Sequence, residues 1–104
     1  MDVEVRDDPA ASRYEVRVDG RPVGFLQYRL RGQRITFVHT RVDPEHAAEG
    51  LGTRLARTAL DDARRRGLAV APVCPVVIDF IGRHAAEYLD LVVPPLRARV
   101  TGAG

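Results

Sequence analysis

At 104 residues the chain has the length of one domain, and 45% hydrophobic with 29% charged residues is an ordinary globular balance. Sixteen basic residues, all arginine, against fourteen acidic ones give a net charge of +2, too even to single out nucleic acid as a partner, and one cysteine excludes an intramolecular disulfide. Met1-Asp2-Val3-Glu4 carries no apolar run and nothing approaches the roughly 18 apolar residues of a span, so a cytoplasmic chain without leader or membrane contact is expected.

Residues 13–18, RYEVRV, alternate and end at Asp19-Gly20, a two-residue hairpin signal. Residues 22–30 follow as the partner strand, Arg31-Gly32 makes a second tight turn, and residues 34–42 form a third strand. Roughly a dozen residues precede this antiparallel meander, and no strand is assigned to them.

From Gly50 to Arg66 the period becomes helical. Leu51, Leu55, Ala56, Ala59, Leu60 and Ala63 fall on one face, with Arg54, Arg57, Asp61, Arg64 and Arg65 on the other. Gly67 suits the C-cap. Residues 68–73 read as a short buried strand, and Cys74-Pro75 opens a second helix over 75–90, with Val77, Ile81, His84 and Tyr88 aligned on one side. Pro94-Pro95 stops that helix, and the tail to Gly104 reads as loosely held. The order β-β-β-α-β-α predicts an α+β domain, a mixed sheet with helices packed against it.

The segment from Val42 to Thr53 is the most informative. A strand ends, a loop bearing Gly50 and Gly52 follows, and an amphipathic helix begins. Free amides at a helix N-terminus make an anion site, and glycines there admit a phosphate close to the backbone. The same pattern also serves as a plain tight turn, so the glycines alone leave both readings open.

Val42-Asp43-Pro44, followed by Ala47-Ala48-Glu49-Gly50-Leu51-Gly52, resembles the hallmark of the GNAT superfamily of N-acetyltransferases. That hallmark is a strand ending in Val-x-Pro, then Arg/Gln-x-x-Gly-x-Gly/Ala opening a helix. Ala47 replaces the usual arginine or glutamine but keeps its backbone N–H. The resemblance extends to His39-Thr40-Arg41-Val42, to Cys74-Pro75 and to Arg83-His84-Ala85-Ala86-Glu87-Tyr88, and covers residues 13–93. It implies a splayed sheet of the acyl-CoA N-acyltransferase kind, here without the family's N-terminal helices, and acetyl-CoA as co-substrate. The CoA pyrophosphate would lie on Ala47, Ala48, Glu49, Gly50, Leu51, Gly52 and Thr53, and the pantetheine arm along Thr40, Arg41 and Val42. The acceptor would be an exposed peptide amine or a small polyamine, with no metal and no nucleic acid, on a monomer or homodimer.

Two residues are candidates for the chemistry. Cys74 falls near a helix N-cap, where the dipole favours a thiolate, and the family register puts it by the acetyl group. It reads as base, acid, nucleophile or a small buried strand-end residue. His39 falls on the face of Ile35 and Phe37 by alternation and reads as a base near neutrality or as a core histidine. His46 reads as a solvated loop residue or a phosphate contact, Tyr88 as core or as an acid for the leaving thiolate, and Arg64-Arg65-Arg66 as a solvated helix end or a contact to the CoA 3′-phosphate. The rival to an enzyme is an acyl-CoA-binding regulatory module. A basic nucleic-acid-binding domain is disfavoured by acids interleaved with the arginines.

Overall fold

The alternation of the meander is what builds the sheet. In the computed structural model, which describes residues 2–102, Tyr14, Val16 and Val18 of β2 (Arg13–Val18) turn inward while their neighbours face solvent. Asp19 and Gly20 both take positive φ, 51° and 83°, the mirror-image turn whose twist suits a hairpin. The chain returns as β3 (Arg21–Arg31) and, after a turn at Gly32-Gln33, as β4 (Arg34–Val42).

The N-terminal segment corrects the sequence reading. Residues Val3–Asp8 form a strand, β1, antiparallel to β2, with Val3 and Val5 packed against the core. With two apolar side chains in VEVRDD, this edge strand is held by its pairing and shows little periodic signal. The helix begun at the glycine loop is α1 (Leu51–Arg65), and β5 (Ala69–Pro72) pairs parallel with β4, giving sheet order β1-β2-β3-β4-β5.

The helical run expected over 75–90 is broken. α2 (Pro75–Arg83) ends at His84, whose φ of −126° and ψ of 39° leave the helical region, and α3 (Ala85–Tyr88) is a separate turn. Pro94-Pro95 therefore does not end a helix but opens a 3-10 turn leading into α4 (Arg97–Thr101). Nor is the tail loose as far as Thr101. Val93 N–H donates to the Val70 carbonyl at 2.9 Å, Val100 is buried, and α4 lies so close to α2 that a Cβ on Gly82 would stand 2.9 Å from the Val100 carbonyl oxygen. The last two residues fall outside the described range.

The core lies between α1, α2 and one face of the sheet, with Leu26, Ile35, Phe37, Leu55, Leu60, Val70, Val77 and Phe80 buried. Asp62 is the buried charge among the described residues; it accepts from the Tyr14 hydroxyl and pairs with Arg65 and Arg66, tying α1 to β2. The opposite sheet face stays open over β3 and β4, where Gln27, Arg29, Arg34, His39 and Arg41 are exposed. No helix among the described residues is long and apolar enough to cross a membrane.

Candidate active site

Two local irregularities make an opening in the sheet. β5 pairs with β4 only from Arg34↔Ala69 to Phe37↔Pro72, and the Phe37 carbonyl then accepts from both Val73 and Cys74 N–H at 2.9 Å as the chain turns into α2. On the other side of β4 the register slips. Phe37 faces Tyr28 but His39 faces Gln27, so Val38 is an inserted residue, a β-bulge. Beyond it the Asp43 N–H donates to the Val23 carbonyl at 2.8 Å, which sets His39, Arg41 and Asp43 as the positions bonded to β3. Thr40 and Val42 therefore aim their backbone N–H and C=O groups at the open side, where no strand pairs with β4 past Phe37 among the described residues. Arg41 instead spends its backbone on β3 opposite Phe25, and its side chain is exposed.

The bulge also moves His39. Ile35 and Phe37 are fully buried, whereas His39 is exposed on the other face, its ring 6.1 Å from that of Phe25. The expectation that it shares the face of Ile35 and Phe37 fails because one inserted residue reverses the alternation. Cys74 lies on the helix side. It is 1% exposed, and its Sγ is hydrogen-bonded to Thr40 Oγ1 at 3.0 Å. The two candidate catalytic residues thus flank β4 from opposite faces.

Beyond β4, Pro44–Glu49 coil as a 3-10 helix, and Gly50 turns the chain into α1 with φ 70° and ψ 23°, a left-handed conformation costly for a residue with a Cβ. No side chain caps α1 and its first turn holds no acid, so the amides of Leu51, Gly52 and Thr53 lack a side-chain acceptor at the positive end of a 15-residue helix. Ala47, Ala48 and Glu49 are exposed on the 3-10 helix, and Glu49 is hydrogen-bonded to His46 at 2.7 Å. A Cβ on Gly52 would meet Val76 at 3.5 Å, so the start of α2 borders the start of α1. Val73 and Val76, 56% and 38% exposed, supply an apolar rim beside Cys74. Neither the bulge nor this rim was visible in the sequence, where both valines merge into an apolar run.

Other side chains fall elsewhere. The Tyr88 hydroxyl donates to Asp61 at 2.6 Å and accepts from Arg57 at 3.1 Å on the flank of α1; burial, then the Asp61 bond, pushes it up to about 12. Arg64 pairs with Asp90 and Arg65 and Arg66 with Asp62, about 20 Å of helix away from Gly50. They therefore lie at the opposite end of α1 from the glycine loop. Asp79 pairs with Arg83 on the surface of α2, and the His84 ring packs 4.5 Å from that of Phe80. Among the described residues no three potential metal ligands come together.

The donor set suits a long, phosphorylated thioester: an amide-rich helix start, an open strand edge able to pair with an amide-bearing arm, and an apolar rim where the arm ends. A mixed sheet splayed between parallel strands, with this loop at its mouth, defines the acyl-CoA N-acyltransferase fold. The family model described as GCN5-related N-acetyl-transferase matches residues 13–91, and the chain belongs to that family.

The fold is shared with a GCN5-like protein of Staphylococcus aureus whose structure in solution is known, at TM-score 0.63 and 18% identity over 86% of this chain and 87% of that one. It is also similar to the ribosomal-protein-S18-alanine N-acetyltransferase of Escherichia coli, at TM-score 0.55 and 23% identity over 58% of this chain and only 39% of that one. N-acetylglutamate synthase of Neisseria gonorrhoeae, solved with coenzyme A and N-acetyl-glutamate, aligns over 98% of this chain and 27% of its own, at TM-score 0.53 and 16% identity. The chain thus spans well under half the length of some of these enzymes. Comparison with curated protein sequences gives no match.

Proposed function

We propose that this chain transfers the acetyl group of acetyl-CoA directly to an amine. The observation that carries this reading is the pairing, in one opening, of an uncapped α1 start at Gly50 with the unpaired edge of β4 at Thr40 and Val42. Bound there, acetyl-CoA supplies an activated thioester. The amides of Leu51, Gly52 and Thr53 would hold the pyrophosphate, and the backbone of Thr40 and Val42 would pair with the pantetheine arm.

The chain's own residues then divide the protons by face. His39, on the exposed face, takes the proton of the attacking amine as the C–N bond forms. Cys74, on the buried face, returns a proton to the CoA sulfur as the C–S bond breaks, and Thr40 orients its thiol. A backbone N–H at the bulge polarises the thioester carbonyl. The acceptor is an exposed peptide amine, a reading supported by the Escherichia coli neighbour, which is named for an alanine of ribosomal protein S18.

The decisive experiment is release of CoA thiol from acetyl-CoA with a panel of amines, alongside thermal shift with acetyl-CoA. Turnover dependent on both substrates supports an enzyme. Stabilisation by acetyl-CoA without turnover on any amine would instead favour the acyl-CoA-binding regulatory module, and no stabilisation would refute both.

A further inference from the structure

Resting on the reading that the amine reacts at the β4–β5 opening, we infer that the open sheet face is a docking surface for an acidic peptide, so that the acceptor amine lies in a carboxylate-rich segment rather than on a polyamine.

The charge on this face is unevenly compensated. Glu4 and Glu15 are each engaged by arginines of the same face, Arg6 for the first and Arg13 and Arg17 for the second. Asp43 lines a hollow with Arg41 and Phe25. At the β3–β4 hairpin, by contrast, Arg29, Arg31 and Arg34 line a hollow of about 360 Å³ with Leu30 and Thr36. All three arginines are exposed, and none has a carboxylate within ion-pair distance among the described residues. Cross-strand pairing fixes them as a block, with Arg31 opposite Arg34 and Arg29 opposite Thr36. Like charges directly opposite one another repel, and an anionic partner relieves that repulsion.

The position of the block matters as much as its charge. Along β4 the order is the glycine loop, the free edge at Val42 and Thr40, the bulge at Val38, and then Thr36 and Arg34. At about 3.3 Å per residue, Arg34 lies roughly 13 Å beyond the bulge. A peptide whose amine reaches the bulge from the His39 face therefore lays its residues two to four positions away over Arg29, Arg31 and Arg34. Guanidinium groups take carboxylates in bidentate fashion. A polyamine would meet three uncompensated cations on the same path. Nucleic acid matches the charge but offers no strongly nucleophilic aliphatic amine, and the face alternates to paired acids at Glu4 and Glu15 instead of continuing basic.

The test is fluorescence anisotropy of the full chain with three labelled probes of equal length: a peptide of Asp, Glu and Ser with one lysine, a Ser/Gln peptide with one lysine, and a single-stranded RNA. The acidic peptide should bind at least tenfold more tightly than the neutral one and weaken steeply with added NaCl. R29A/R31A/R34A should lose that preference, while Arg99→Ala on α4 should keep it. The thermal shift with acetyl-CoA should be unchanged in the triple variant, which reports its folding. Equal affinity for acidic and neutral peptides, tighter binding of RNA, or full acidic preference in the triple variant would overturn the inference. Because binding is read without turnover, an inactive enzyme that still prefers the acidic peptide would sink the proposed activity and leave the docking surface standing.

Discussion

Thr40 and Cys74, 34 positions apart in sequence, bring Oγ1 and Sγ to 3.0 Å across the opening between β4 and the start of α2. Thr40 reaches this spot because the bulge at Val38 turns its side chain to the helix side, and Cys74 because its own N–H is anchored on the Phe37 carbonyl. Backbone and side chain thus place one polar pair at the point where the strands part.

If the thiol serves the departing CoA sulfur, Cys74→Ala should lower kcat by about 10²-fold with little change in acetyl-CoA affinity, the pattern of an interaction made only in the transition state. Thr40→Val should show a smaller loss of the same kind. Because Cys74 is 1% exposed, iodoacetamide should label it slowly in the native protein and quickly in urea. Full kcat in Cys74→Ala would reduce the thiol to packing and leave His39 as the remaining candidate.

The loop makes separate demands on its two glycines. Gly50 has φ 70°, so Gly50→Ala should cost about 1 kcal/mol in stability through left-handed strain, measured by urea denaturation. Gly52 has no such constraint, and its Cβ would make ordinary contact with Val76 at 3.5 Å. Gly52→Ala should therefore fold normally, whereas Gly52→Val should weaken acetyl-CoA binding by more than it lowers the melting temperature, by screening the amides of α1. Equal acetyl-CoA affinity in a folded Gly52→Val would place the pyrophosphate elsewhere.

Much of this architecture is legible in the sequence, and the failures share a cause. The meander and α1 follow from period, because each buries one regular stripe, Tyr14, Val16 and Val18 at spacing two and Leu51, Leu55, Ala59 and Ala63 at spacing four, whereas β5 follows from its unbroken apolar run. β1 is held by backbone pairing to β2 and carries little stripe. α4 is held by contact with Gly82, a tertiary fit that no local pattern announces. At the site, the glycine loop could be read because Gly50 and Gly52 stand where a strand gives way to an amphipathic helix, and Gly50 takes positive φ there. The bulge could not, since an inserted Val38 looks like any other strand residue, and with it went the true face of His39. The Tyr14–Asp62 bond joins residues 48 apart and needs the fold to be seen.

Ala47 is exposed on the 3-10 helix that leads into Gly50. Replacing it with arginine would place a guanidinium at the mouth of the anion seat. Ala47→Arg should tighten acetyl-CoA three- to tenfold, about 1 kcal/mol for a charge-assisted bond to phosphate, with dephospho-CoA gaining equally because the pyrophosphate is common to both. Isothermal titration with both ligands checks this. Weaker binding of both would show that the 3-10 helix does not face the pyrophosphate.

The buried Asp62–Tyr14 pair links the stability of the fold to pH at both the acid and the alkaline end. Burial works to raise its carboxyl, but the Tyr14 hydroxyl and the guanidinium groups of Arg66 and Arg65 outweigh that and hold it below the ordinary carboxylate range. Tyr14 moves the opposite way, pushed up by burial and then by its bond to the Asp62 carboxylate. For Asp62 the folded value lies below the unfolded one, so its contribution is complete above about pH 5 and is lost as the pH falls through the folded value, below about 4. For Tyr14 the folded value lies above the unfolded one, so its contribution is complete below about pH 10 and is lost as the pH rises further. Urea midpoints measured from pH 2 to 11 should therefore form a plateau falling at both ends. Tyr14→Phe removes one donor from a buried carboxylate and should cost about 1–3 kcal/mol on the plateau. It should also move the acid fall to higher pH, since the carboxyl keeps only its arginines. An acid limb unmoved in Tyr14→Phe would mean that Arg65 and Arg66 alone hold Asp62 ionised, and that the tyrosine bond contributes packing without titration.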